Sequence, residues 1–117
     1  PSYGLSDAQV ATMLQDSFST AADDMQMRSL VEARVDADRT IAATQSALAA
    51  DGDLLSPSER VRIDALLAAA AQAKLLEDPR AVEAVTLQLA AGTEAFAALR
   101  MNRGIRQALA GKNVETL

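Results

Sequence analysis

Two short signals, Ser56-Pro57-Ser58-Glu59 and Asp78-Pro79, divide a sequence whose apolar residues otherwise recur every three or four positions. A hydroxyl or carboxylate followed by proline marks a helix start. The side chain accepts a hydrogen bond from an unpaired backbone N–H, and proline fits the first helical position. With 5 Gly and 3 Pro against 26 Ala in 117 residues, few other positions interrupt a helix. The sequence therefore predicts an all-α chain.

The helix boundaries follow from caps and from shifts in the apolar spacing. Ser6 and Gln9 form a capping box that opens the first helix. Short hydroxylated side chains at Ser19 and Thr20 favour a bend, and Gly104 favours a kink. We predict five helices, at roughly residues 7–18, 22–50, 57–76, 79–100 and 103–110.

An antiparallel bundle is the predicted arrangement of residues 22–117. Short loops join helices whose apolar stripes need partners, so successive helices pack against one another. The helix at 79–100 carries a heptad seam of Val82, Val85, Leu89, Gly92, Phe96 and Leu99. Glycine at position 92 of this seam predicts a close helix crossing. Residues 1–21 are predicted to be a linker and a first helix outside the bundle.

The sequence contains no cysteine, histidine or tryptophan. Thiolate and imidazole metal sites, and Ser-His or Cys-His nucleophile pairs, are thereby excluded. The acidic pairs Asp23-Asp24 and Asp36-Asp38 do not aim both carboxylates at one site. We therefore predict no catalytic, cofactor-binding or metal-binding residues and no enzymatic activity in this chain.

Charge and hydropathy limit the possible partners. The chain has 11 basic and 16 acidic residues, a net charge of −5, and residues 1–59 alone carry 10 acids and 3 bases. Such a surface disfavours nucleic acid phosphates and anionic lipids, and no stretch has the run of about eighteen apolar residues typical of a membrane span. We expect a cytoplasmic protein that binds neither. Because the sequence begins with Pro1, we also expect it to be a piece of a longer protein.

The first predicted helix has an apolar face, made by Val10, Met13, Leu14 and Phe18, with no partner in the predicted bundle. An exposed patch of this kind typically marks an interface. One hypothesis is therefore a free-standing helical adaptor that binds a partner helix. Near the other end, Arg100, Arg103 and Arg106 fit an acidic partner or complement the dipole of a helix C-terminus.

Three stretches resemble the C-terminal lid of DnaK-type heat-shock chaperones: Tyr3-Gly4-Leu5-Ser6, residues 10–17 and residues 30–34. Residues 1–5, the loop at 49–56 and the segments 96–101 and 106–112 resemble one branch of that family, the HscA chaperones of iron–sulfur cluster assembly. The resemblance covers essentially the whole chain.

The resemblance implies that the chain is a lid. In the family, the first helix and the start of the second lie across a β-sandwich and cover a groove that holds a client peptide. The implied partners are the chain's own β-sandwich and, as client, the iron–sulfur scaffold protein. A co-chaperone acts on the parent protein, and ATP binds in the parent's nucleotide-binding domain. Met25 and Met27 are then either client-facing or core residues.

By resemblance, the two aspartates that latch the lid to the sandwich correspond to Asp24 and Asp38. The alternative is that both are ordinary solvated acids. Ala42 departs from the family pattern, because DnaK has a polar contact there. Without the sandwich, the first helix would be exposed. We therefore expect the isolated chain to self-associate, with that helix either docking on a neighbouring copy or continuing into the second helix.

Overall fold

The computed structural model describes the backbone of residues 4–116 and the side chains of residues 4–112. In chain order the elements are α1 (Asp7–Asp51), a 3-10 turn (Gly52–Leu54), α2 (Pro57–Ala73), α3 (Pro79–Gly92) and α4 (Glu94–Thr116). Within the described residues every element is helical, which confirms the predicted all-α class. The first three residues of the family resemblance lie outside the described range.

The predicted break between the first two helices is wrong, and the alternative that the first helix continues into the second is confirmed, since α1 is one helix of 45 residues. It begins at the predicted capping box, in which Gln9 N–H donates to Ser6 Oγ (3.1 Å) and Ser6 N–H donates to Gln9 Oε1 (2.9 Å). At the expected bend, Thr20 Oγ1 donates to the carbonyl of Asp16 (2.9 Å). The hydroxyl is thus satisfied within the helix, and no glycine or proline lies between residues 7 and 51 to interrupt it.

The two proline signals start helices as predicted. Ser56 and Glu59 form a second capping box at α2, with both hydrogen bonds at 3.2 Å. Asp78 Oδ1 accepts from the backbone N–H of Arg80 (3.0 Å) at the start of α3. α2 ends at Ala73, three residues before the predicted end.

The last two helices are divided at a different place from the predicted one. We expected one helix over 79–100 and a kink at residues 101–104, whereas α3 ends at Gly92 and α4 runs through Gly104. Thr93 leaves helical geometry, with φ −106° and ψ 2°. Its hydroxyl bonds the carbonyls of Leu89 and Ala90, each at 3.1 Å. Thr93 therefore caps the end of α3. Gly104, by contrast, lies inside a continuous helix and ends none.

The core lies between the second half of α1, helices α2 and α3, and the start of α4. One cluster is formed by Ala47, Leu48, Ile63 and Phe96, and a second by Ala33, Ala37 and Val82. The predicted seam points into it, since Val82 and Leu89 are fully buried. A Cβ atom at Gly92 would collide with Cδ1 of Leu66, which confirms the predicted close crossing.

Two helical segments project from this bundle. All side chains of residues 7–29, which we call the α1 arm, are exposed, and so are those of residues 104–112, the α4 arm. The molecule measures 95 × 35 × 16 Å and exposes 8625 Å². A compact protein of this mass exposes about 6,100 Å². The difference, roughly 2,500 Å², is the surface that the extended shape leaves uncovered.

Candidate functional site: the α1 arm and its brace

The α1 arm presents the apolar face described from the sequence. Val10, Met13, Leu14 and Phe18 are between 41 and 73% exposed, and Met25 and Met27 are exposed as well. The arm is about 34 Å long at 1.5 Å per residue. It is therefore a long helical surface that carries large apolar side chains with no covering element among residues 4–112.

Asp24 and Asp38 lie 14 residues apart on α1. Fourteen residues are close to four turns, so both carboxylates lie on the same side of the helix, about 21 Å apart along its axis. Asp24 is on the α1 arm and belongs to no ion pair of the described residues. Asp38 lies beside the bundle, and its Oδ1 accepts a hydrogen bond from Nζ of Lys74. The two predicted latch residues thus have different surroundings.

A brace holds the middle of α1 against the connection between α2 and α3. It consists of the Asp38–Lys74 pair and of Arg34, whose Nη2 donates to the carbonyl of Leu76 at 2.9 Å. Nε of Arg34 is buried without a partner in the same place. The sequence pattern did not point to Arg34 or Lys74. The partners lie 36 to 42 residues apart, and no local pattern connects them.

A second set of ion pairs holds the C-terminal end of α1. Arg100 Nε donates to Asp51 (2.8 Å), and Arg103 donates both to Asp51 (3.0 Å) and to Asp53 (2.9 and 2.6 Å). We call these four residues the clasp. Hydrogen bonding from Arg100 lowers the pKa of Asp51, and hydrogen bonding from Arg103 lowers the pKa of Asp53. The clasp fastens α4 to the end of α1.

The clasp also shows what two of the three C-terminal arginines contact. Arg100 and Arg103 bind carboxylates of their own chain, an arrangement that neither sequence interpretation included. Arg106 donates weakly to the carbonyl of Asn102 (3.4 Å) and forms no ion pair within residues 4–112.

The described residues hold no group of three or more potential ligands that could bind a metal ion. The acidic pair Asp23-Asp24 lies on the exposed arm, and Asp36 lies on the exposed side of the braced segment. None of the described helices is both long and apolar enough to cross a lipid bilayer. The candidate site is therefore the apolar face of the α1 arm, on a helix that the brace and the clasp hold to the bundle.

Comparison with known proteins assigns this architecture to a family. Over its whole length the chain is 65% identical to the chaperone protein HscA homolog of Verminephrobacter eiseniae and 61% identical to that of Paracidovorax citrulli. It spans 19% of the length of each relative, in the C-terminal region and outside the ATPase domain. The resemblance found in the sequence is confirmed. A family model described as Hsp70 protein matches residues 1–102, and the chain belongs to the Hsp70 family.

Proposed function

We propose that this chain is the lid of the substrate-binding domain of an HscA-like chaperone, which closes over the client groove and controls client exchange during iron–sulfur cluster biogenesis. The observation that carries the proposal is the α1 arm: 23 helical residues with an exposed apolar face, continuous with a helix that the bundle braces. A cover for a groove needs such a contact face and such a support.

The mechanics of α1 fit this role. No glycine or proline interrupts residues 7–51, so movement of residues 30–51, the braced half of α1, is transmitted along the helix to the arm. The contact face is limited to a few large apolar side chains. Closure would therefore be worth only a few kcal/mol, a range in which a ligand elsewhere in the parent chaperone can shift the equilibrium between open and closed states.

Asp24 and Asp38 are the proposed latch to basic groups of the β-sandwich. Their position on one side of α1 allows both to face the same surface. For Asp38, an outer basic group would share or replace Lys74, whereas Asp24 would gain its partner only on closure. Asp24 should therefore contribute more to the difference between closed and open states.

In the parent chaperone this chain would act together with other domains of the same polypeptide and with the client. Its proposed partners are the β-sandwich of the same polypeptide and, as client, the iron–sulfur scaffold protein, in the cytoplasm. ATP and the co-chaperone would act on the parent's nucleotide-binding domain. This segment would then contribute no chemical step and would act on binding and release rates alone.

The test is to measure association and dissociation of a fluorescent client peptide with the parent chaperone, with and without residues 1–117, at one fixed nucleotide state. We expect the deletion to accelerate both rates with only a modest change in affinity, because a cover restricts entry and exit alike. If neither rate changes while cluster assembly fails, the segment is a docking adaptor and the lid proposal is wrong.

Point variants sharpen the same measurement. In the parent, Phe18→Ser on the α1 arm should accelerate release, whereas Val61→Ser on the exposed surface of α2 should not. Asp24→Asn should accelerate release more than Asp38→Asn. An equal effect of Val61→Ser would mean that the arm's face is not the contact.

A further inference from the structure

An apolar stripe begins on α4 just before the α4 arm and continues along it, and the described residues leave it uncovered. Met101, Ile105 and Leu109 recur every four residues on α4, so they lie along one side of the helix. They are between 51 and 67% exposed. A second helix lying along this side would cover all three.

Gly104 lies beside the stripe, three residues after Met101, whereas Gly111 lies about 160° around the helix from Leu109. Gly104 and Gly111 stand inside α4, where glycine is less favourable than alanine. A Cβ atom added at either position would meet no other atom, so packing within the chain does not require glycine there. At Gly92, by contrast, Leu66 fills the space where a Cβ would be. We interpret Gly104 as a hole that a partner's side chain occupies in the same way.

Charge identifies the partner. The α4 arm, residues 104–112, contains Arg106 and Lys112 and no acidic residue. The α1 arm has four aspartates, at positions 7, 16, 23 and 24, against the single base Arg28. Each arm would repel a copy of itself and attract the other. The α1 arm also carries the large apolar side chains that would fill the hole at Gly104.

The two arms cannot meet within one molecule. The clasp holds Arg103 of α4 to Asp51, at the C-terminal end of α1. The nearest residue of the α1 arm, Ser29, lies 22 residues before Asp51, about 33 Å along the helix, whereas the α4 arm is only about 14 Å long. Contact between an α1 arm and an α4 arm therefore requires two copies of the chain.

We propose that the chain associates head to tail, with the α1 arm of one copy packed on the α4 arm of the next. Met13, Leu14 and Phe18 would pack on the stripe and beside Gly104, and the aspartates of the α1 arm would face Arg106 and Lys112 of the α4 arm. Two different surfaces meet, so the contact is heterologous, and it builds rings or open chains rather than closed two-fold dimers.

This association competes with the proposed lid, because both use the same face of α1. It does not depend on the lid proposal, and its test contains no client and no β-sandwich. The contact is limited to the length of the α4 arm, about 14 Å over residues 104–112, and is smaller than a standard interface. Association should therefore be weak, with a dissociation constant in the micromolar range or above.

The experiment is sedimentation velocity of the 117-residue chain over a series of rising concentrations. The wild-type protein should show a mass that increases beyond a dimer. Phe18→Ser and Ile105→Ser should each weaken association by about tenfold or more, since each contact uses both arms. Val61→Ser, an equally exposed apolar residue on α2, should have no effect. Circular dichroism checks that each variant is folded, and Gly104→Leu, which fills a hole, supplies a second test of the α4 arm.

A mixture of the two arm variants decides the geometry. Phe18→Ser keeps an intact α4 arm and Ile105→Ser an intact α1 arm, so the mixture should form dimers and stop there. A wild-type chain that stays monomeric overturns the proposal. So does association that Phe18→Ser abolishes and Ile105→Ser leaves intact, which would indicate paired α1 arms. Binding of the chain to phosphatidylglycerol vesicles through Ile105, with a monomer in solution, would equally overturn it.

Discussion

The two halves of α1 belong to one helix and have opposite surroundings. In residues 30–51 the buried positions are mostly alanine, such as Ala33 and Ala37, and neighbouring helices pack directly on them. In residues 7–29 the apolar face that includes Leu14 and Phe18 is made of large side chains, and these are exposed. Small side chains thus mark the half that the chain packs by itself, and large ones mark the half that is left for another surface.

The difference also concerns what keeps each half helical. Tertiary packing of an apolar face, more than intrinsic propensity, supplies most helical stability in proteins. The braced half has that packing and the clasp at its end. The α1 arm has only its capping box and its covalent continuity with the braced half. The arm should therefore open locally far more easily than the bundle.

The largest expected difference in the free energy of unfolding comes from placing a leucine-to-alanine substitution either in the bundle or on the α1 arm. Leu89→Ala removes a fully buried side chain from the bundle and should lower the free energy of unfolding by about 3 kcal/mol. Leu14→Ala on the α1 arm should change it by less than about 0.5 kcal/mol, because the side chain is exposed. Urea unfolding followed by circular dichroism at low protein concentration measures both.

A cost above about 1.5 kcal/mol for Leu14→Ala would break the comparison, because it would show that the arm is packed in solution. Leu87→Ala on the exposed surface of α3 is the matched control, since it changes the same side chain beside the bundle. It should behave like Leu14→Ala.

An intermediate effect is expected from one substitution at two helical glycines. Gly92→Ala forces a Cβ atom against Leu66 and should destabilise the chain by about 1–2 kcal/mol, reduced to the extent that the leucine turns aside. Gly104→Ala meets no neighbour and should stabilise by up to about 1 kcal/mol, because alanine is the better helix former. Thermal unfolding of the two variants should therefore shift in opposite directions. Equal shifts of one sign would contradict the crossing at Gly92.

Local sequence signals predicted much of this fold correctly. The capping boxes at Ser6 and Ser56 and the seam through Leu89 each depend on residues a few positions apart, and the structure has them all. The close crossing at Gly92 was also predictable, because a glycine on an apolar seam leaves room for a neighbouring helix to approach. Each of these features depends on residues a few positions apart in the sequence, so local patterns are enough to predict them.

The errors came from residues that permit two structures. The hydroxyl of Thr20 can end a helix or bond back within it, and here it does the second. Thr93 ends α3, although the apolar seam continues past it without a change of spacing. The clasp joins Asp51 to residues 49 and 52 positions away, so it exists only once the bundle has formed. Charge pairs of this kind leave no local pattern.

The smallest expected effect concerns the clasp under acid. Hydrogen bonds from Arg100 and Arg103 hold the pKa values of Asp51 and Asp53 below the ordinary 3.8. A carboxyl whose pKa is lower in the folded state stabilises the fold above its unfolded pKa and loses that contribution as the pH falls through the folded pKa. The free energy of unfolding should therefore decrease as the pH is lowered from about 5 through 4 and below.

Arg103→Met tests this assignment, because it removes the group that contacts both aspartates. Its stability should fall less steeply between about pH 5 and 3 than that of the wild-type chain, as measured by urea unfolding at each pH. Arg106→Met, three residues further along α4 and outside the clasp, should keep the wild-type slope. Glu59, whose pKa the Ser56 hydrogen bonds lower, gives all three proteins the same acid-dependent background. If Arg103→Met and the wild-type chain show equal slopes, the clasp does not stabilise the folded chain, and the end of α1 is held to α4 by apolar packing around Phe96 alone.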